Sequence, residues 1–149
     1  MIASEVLAKL KAVAGPRGYI DDPVEILPYC TPFRDGWVGA TPLVLRPDST
    51  ARLAELVRIC AETRTPIVPQ GGNTGLTGAG LPHPSGDEVI LSLTRMNRIR
   101  AVDPLNDTIA VEAGVNKAAT RYHFGSKDGL LEAIVDEIVL DECASMARD

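Results

Sequence analysis

Five glycines, Gly71, Gly72, Gly75, Gly78 and Gly80, fall within ten positions of the stretch PQGGNTGLTGAGLP, which runs from Pro69 to Pro82. Glycine lets a backbone adopt positive φ and approach a ligand closely. Successive N–H groups in such a loop can form a nest that binds an anion. No Lys or Arg lies between Arg64 and Arg95. A phosphate bound here must therefore be held by main-chain amides, helped by the side chains of Asn73 and Thr74. The loop has neither the lysine of a P-loop nor a GxGxxG that opens a helix, so neither of those nucleotide sites fits. Composition alone leaves a plain glycine-rich surface turn open as the alternative. His83, set between Leu81-Pro82 and Pro84-Ser85, reads as an exposed loop residue in preference to a catalytic base.

TPIVPQ, ending at Gln70, reads as a strand that delivers the loop at its carboxyl end, where open α/β sheets bind ligands. Upstream, LVLRP is a short strand, and DSTARLAELVRICAETR is a helix capped by Ser49 or Thr50, with Leu53, Leu56, Val57 and Cys60 on its inner face. Strand, helix and strand with short connections form a βαβ unit, which ordinarily sets two parallel strands side by side. After the loop, EVILSL is a third strand, TRMNRIRAVDPLNDT a turn-rich connection, and TIAVEAGV a fourth strand, extended over 108–113 with Ile109 and Val111 packing inward and followed by a turn at Gly114. At the amino end, Ile2, Val6, Leu7, Leu10 and Val13 share one helical stripe. Residues 15–42, rich in proline and glycine, read as an irregular loop anchored by Tyr19, Tyr29, Phe33 and Trp37.

The chain has 149 residues, 45% of them hydrophobic and only 4% aromatic. A single α/β domain with an aliphatic core is the natural expectation. A formal net charge of -5 gives no overall attraction for nucleic acid or an anionic membrane. Cys30, Cys60 and Cys143 are odd in number and form no CxxC, so reduced thiols in a cytoplasmic protein are expected, with no zinc site. No stretch has the length and apolarity of a membrane span.

The run from TPLVLRP through PIVPQGGNTGLTGAGLP to TIAVEAGV resembles the N-terminal FAD-binding domain of the FAD-linked oxidases. The resemblance is strongest to bacterial D-2-hydroxyacid dehydrogenases related to D-lactate, D-2-hydroxyglutarate and glycolate oxidoreductases, and it covers most of residues 1–115. It implies an α/β domain containing the βαβ unit and a small mixed sheet, followed by a short α-helical segment. It also implies FAD as cofactor, a small 2-hydroxyacid as substrate once a substrate domain completes the enzyme, and a pyrophosphate wrapped by main-chain amides. The cofactor residues it implies are Pro69, Gln70, Gly71, Gly72, Asn73, Thr74 and Gly75, followed by Gly78 and Pro82. It implies no catalytic or metal-ligating residue among those present.

Beyond the shared AGV, the stretch AGVNKAATRYHFGSKDGLLEAIVDEI is similar to the DNA-binding head of TetR-type regulators. That resemblance implies a second unit over 116–149, with a recognition helix at 117–124 and a second helix at 126–144. Lys117, Thr120, Arg121, Tyr122 and His123 would contact DNA, and Ser126 would cap the second helix. From Gly114 to Asp149 four basic residues face seven acidic ones, a balance that argues against phosphate binding. The bland alternative is a helical tail that covers the sheet with Leu130, Leu131, Ile134, Ile138 and Val139. Three functional expectations follow: the FAD-binding part of an oxidoreductase, inactive alone; a DNA-binding regulator fragment; or a chimeric product without activity.

Overall fold

The structure is a computed structural model that describes residues 2–32, 36–75, 77–103 and 108–115. Residues 116–149 lie outside the described residues, and with them the helices expected at 117–124 and 126–144 and the DNA-contact candidates Lys117, Thr120, Arg121, Tyr122 and His123.

Helix α1 (Ser4–Ala14) buries Leu10 and Ala14, with Ile2, Val6, Leu7 and Val13 packed around the same core as the 3.6-residue stripe requires. Strand β1 (Tyr19–Ile20) and helix α2 (Pro23–Cys30) follow, within a segment expected to be irregular. The correction has a local cause. The Asp22 carboxylate accepts from the N–H groups of Val24 at 2.8 Å and Glu25 at 3.2 Å, and Pro23 opens the helix where its missing N–H has no intrahelical role. Pro28 inside α2 disguises the helix in the sequence.

Strand β2 (Val44–Leu45) leads into α3 (Thr50–Glu62), where the Ser49 hydroxyl caps the Arg52 N–H at 3.4 Å. The inner face of α3 is Leu56, Ile59 and Cys60, with Leu53 partly covered. Val57, expected inside, is 40% exposed, whereas Ile59 is fully buried. Strands β3 (Ile67–Gln70) and β4 (Val89–Ser92) complete a four-stranded sheet in the order β1-β2-β4-β3. β2 and β3 are therefore not neighbours, as the simplest βαβ unit would have them, because β4 lies between them and pairs in parallel with both. β1 runs antiparallel to β2, so the sheet is mixed.

Helices cover both faces. Leu43, Leu45, Val89 and Leu91 meet α1 and α3 on one side, while Val44, Val68 and Ile90 meet Ile26 and Cys30 of α2 on the other. This alternation is the period of two along each strand. It explains why β4 is buried at every position. β3 lies at the sheet edge, which is where Pro69 can sit in a strand without breaking a ladder.

Two further corrections concern the last described elements. Strand β5 (Ile99–Asp103) stands where a turn-rich connection was expected, and it pairs antiparallel with β6 (Thr108–Val111) in a separate two-stranded sheet. The fourth strand thus forms, but it ends two residues earlier than the expected Ala113 and does not join the main sheet. Val111 is 40% exposed and Ile109 is half-buried, so neither packs into the main core. The hairpin is fastened at its end instead. Glu112 is buried and accepts from the Arg98 N–H at 3.2 Å and the Arg100 guanidinium at 3.3 Å. The expected turn at Gly114 is present. Its N–H donates to the Met96 carbonyl at 2.8 Å, and a Cβ there would lie 1.8 Å from the Leu93 carbonyl oxygen.

Candidate cofactor-binding site

β3 delivers its last residue, Gln70, to a buried position beside Ser92 of β4, and the chain then leaves the sheet at Gly71. The Gln70 side-chain amide donates to the Tyr29 carbonyl at 2.9 Å and to the Gly80 carbonyl at 2.8 Å. Asn73 takes φ of 52°, a left-handed conformation that asparagine tolerates better than most residues. Its Nδ2 donates to the Thr31 carbonyl at 3.0 Å. Pro28, Tyr29, Gln70, Gly71, Gly72, Asn73 and Thr94 enclose an open cleft of about 160 Å³ at the carboxyl ends of β3 and β4.

Within the loop the glycines separate into two kinds. A Cβ added at Gly71 or Gly75 would meet no atom within 4 Å, and neither residue has positive φ. The fold itself therefore does not demand glycine at either position. Among the described residues, no N–H of Gly71, Gly72, Asn73, Thr74 or Gly75 donates to a backbone carbonyl or side-chain acceptor. Gly78 differs: its φ is 75°, and a Cβ would stand 2.5 Å from the Trp37 ring. Pro82 is fully buried, its carbonyl accepts from Trp37 Nε1 at 3.2 Å, and it presses on Gly39, whose Cβ would lie 2.2 Å from that carbonyl oxygen.

The residues read from the sequence thus fall into three places. Gly71, Gly72, Thr74 and Gly75 expose the loop backbone, while Gln70 and Asn73 direct their amide nitrogens inward to carbonyls. Gly78 and Pro82 pack against Trp37, and Pro69 is an exposed edge-strand residue. Tyr29 was expected only as an anchor of its own segment, and Thr31 and Thr94 were not expected at the site. Tyr29 and Thr31 contribute through main-chain carbonyls, for which the only available signal was the Asp22-Pro23 start of α2. His83 is exposed, as expected, and its Nδ1 accepts from the Ser85 N–H at 3.2 Å.

No cation from the loop reaches the cleft. The next basic residue, Arg95, donates to the carbonyls of Arg17 and Arg46, each at 3.0 Å, and to Asp48 at 3.2 Å. Burial pushes the Asp48 carboxyl upward, but Arg52, its own backbone N–H and Arg95 outweigh this and leave it below the ordinary value. Cys30 and Cys60 are free, buried thiols held above their usual pKa by desolvation. Among the described residues, loop amides without acceptors and free space beside two glycines suit the pyrophosphate of a dinucleotide.

Residues 41–132 match the family model for an FAD binding domain, more than half of the chain. The chain belongs to the FAD-binding domain family. FAD is accordingly its cofactor, and a flavin supplies an acceptor for a hydride equivalent. The matched residues run past Gly114 and include 117–124. Among curated proteins, the chain is 39% identical over 87 residues to D-2-hydroxyglutarate–pyruvate transhydrogenase of Saccharomyces cerevisiae, covering 56% of this chain and 17% of that protein. It is 33% identical over 114 residues to a probable mitochondrial D-2-hydroxyglutarate dehydrogenase of Oryza sativa, covering 76% and 20%. The chain thus spans about a fifth of the length of these relatives. A solved alkyldihydroxyacetonephosphate synthase shares the fold with a TM-score of 0.68 and 22% identity, over 83% of this chain and 25% of that one. Among the described residues no helix is long and apolar enough to cross a membrane, and no cluster of acidic, His or Cys side chains could hold a metal.

Proposed function

We propose that the chain is the FAD-binding part of an oxidoreductase acting on D-2-hydroxyacids, and that main-chain N–H groups of residues 71–75 hold the FAD pyrophosphate. The observation that carries the loop assignment is the pair Gly71 and Gly75, glycines with free space at the Cβ position and N–H groups without acceptors among the described residues. The substrate class is supported by the relatives, whose names carry D-2-hydroxyglutarate. Gly78 and Pro82 shape the same loop from behind through Trp37. The cytoplasmic placement rests on the free cysteines; the rice relative is named mitochondrial.

The chain alone binds FAD weakly in this reading, because much of a cofactor's affinity comes from enclosing its ring, and the cleft at the loop is small and open. Fluorescence titration tests the assignment. FAD should bind, ADP should compete because it carries the pyrophosphate, and riboflavin should not. Competition by riboflavin equal to that of ADP would remove the loop from the site.

For residues 116–149 the wording of AGVNKAATRYHFGSKDGLLEAIVDEI supports a second reading, a TetR-like head that contacts DNA through Lys117, Thr120, Arg121, Tyr122 and His123. The seven acidic residues against four basic ones between Gly114 and Asp149 oppose it. A chimeric product without activity is the third reading, and FAD binding would exclude only a product that had also lost its cofactor site.

A further inference from the structure

We infer that Gln70 is a positioning residue, a neutral brace that holds the two limbs of the glycine loop and the end of α2 at a fixed spacing, and that its side-chain amide does not itself contact the cofactor. The inference rests on the assignment of residues 71–75 to the FAD pyrophosphate. Gln70 is 3% exposed at the carboxyl end of β3. Both hydrogens of its Nε2 have acceptors: the carbonyl of Tyr29, 41 residues away, and that of Gly80, 10 residues away. The first acceptor lies in the last turn of α2, where helix carbonyls lack intrahelical partners. The second lies where the loop returns toward the sheet.

The chemistry of the side chain explains its presence. A primary amide offers two donors from one neutral atom, whereas a carboxylate offers none and an ammonium would bring a charge into a buried site. Asn73 repeats the device three residues later, donating to the carbonyl of Thr31, two residues beyond Tyr29. Two side-chain amides therefore stitch the loop to carbonyls at the carboxyl end of α2. With those carbonyls satisfied by side chains, the N–H groups of residues 71–75 are left without acceptors among the described residues. This preorganises the amides that meet the phosphates, and the effect on affinity works through loop geometry.

Two near-isosteric variants of the full chain, Gln70→Glu and Gln70→Met, test the brace by FAD titration between pH 8 and pH 5.5. Gln70→Met should bind at least about tenfold more weakly at every pH, since two buried hydrogen bonds are lost. Gln70→Glu should be equally weak at pH 8 and recover as the pH falls. Its carboxyl would be buried and would face two carbonyl oxygens, which raises its pKa, and once protonated it can donate one hydrogen bond. Wild-type affinity should stay flat. Affinities within twofold of wild type for both variants, or a weak Gln70→Glu without pH dependence, would overturn the brace. A second measurement does not involve FAD: in nitrogen-15 spectra of the cofactor-free chain, the Gln70 side-chain protons should exchange slowly with solvent. Exchange at the rate of a free amide would also overturn the inference. Failure of the wild type to bind FAD while these protons stay protected would instead remove only the pyrophosphate assignment.

Discussion

Replacing Gly71 or Gly75 with alanine should leave the fold intact and damage only cofactor binding. At both positions an added Cβ meets nothing within 4 Å, and neither φ is positive. Alanine therefore adds no clash and no backbone strain. It narrows the unfolded ensemble, which stabilises a compatible site by about 0.4 to 1 kcal/mol. In a domain of this size that is a rise of about 1 to 4 °C in Tm. The same methyl stands where the proposed phosphate must approach the N–H groups. Displacing one charge-assisted hydrogen bond weakens binding by roughly 1.5 to 3 kcal/mol, or about tenfold to 150-fold in affinity. Gly39→Ala is the contrasting substitution, because its Cβ would lie 2.2 Å from the Pro82 carbonyl oxygen. It should lower stability by about 1 to 3 kcal/mol as the backbone shifts. Thermal denaturation of the cofactor-free variants and FAD titration of the folded fraction separate the two effects. A fall in Tm for Gly71→Ala as large as for Gly39→Ala, or FAD affinity within twofold of wild type, would refute the division of glycines into those the fold needs and those the ligand needs.

Gly114→Ala should destabilise the attachment of the β5–β6 hairpin, since its Cβ would fall 1.8 Å from the Leu93 carbonyl oxygen; faster amide exchange at Glu112 and Gly114 would report it, and unchanged exchange would contradict it. The Glu112 carboxyl is held below its ordinary pKa, first by the Arg98 N–H, against the effect of burial, and then by the Arg100 and Arg98 guanidinium groups. A depressed folded pKa gives stability that is present above the unfolded value, about 4.3 for glutamate, and is lost as pH falls through the folded value. Acid titration should therefore destabilise the wild type more steeply below about pH 4 than Glu112→Gln, and parallel acid limbs would refute this. The chain alone should reduce no dye with D-lactate or D-2-hydroxyglutarate, because among the described residues no substrate-positioning base stands beside the loop; turnover above a no-enzyme control would contradict it. Gel shifts with duplex DNA should vanish at physiological salt, where three clustered cations in the 114–127 stretch give little phosphate affinity, and a sequence-preferring shift would favour the regulator reading.

What was legible in the sequence followed from burial with a period. Leu10 on α1, Leu56 and Cys60 on α3, and the unbroken VILS of β4 all carry their positions in their spacing. α2 was illegible because Pro28 contradicts the start signal of Asp22 and Pro23, and a helix of eight residues leaves little pattern to outvote it. The insertion of β4 between β2 and β3 could not be read at all, since Val44, Val68 and Ile90 are interchangeable aliphatics whose neighbours are chosen by the packing of helices on both faces.

The site obeys a similar division with a different cause. A pocket built from side chains announces itself through residue identity, but this one is built from N–H and C=O groups that every residue possesses. Its sequence signal is indirect: glycines that remove side chains, and an interval from Arg64 to Arg95 without cations. Those signals locate the loop but cannot rank its glycines, because Gly71, which faces open space, and Gly78, which a Trp37 ring covers, are the same letter. Nor can they distinguish Gln70 as a ligand from Gln70 as a brace, since its partners at Tyr29 and Gly80 are carbonyls without identity of their own. Open space at the Cβ position separates Gly71 from Gly78, and the two carbonyl acceptors of the Gln70 amide favour the brace. On the proposed function, residues 71–75 meet the cofactor, and Gln70, Gly78 and Pro82 form the frame that presents them.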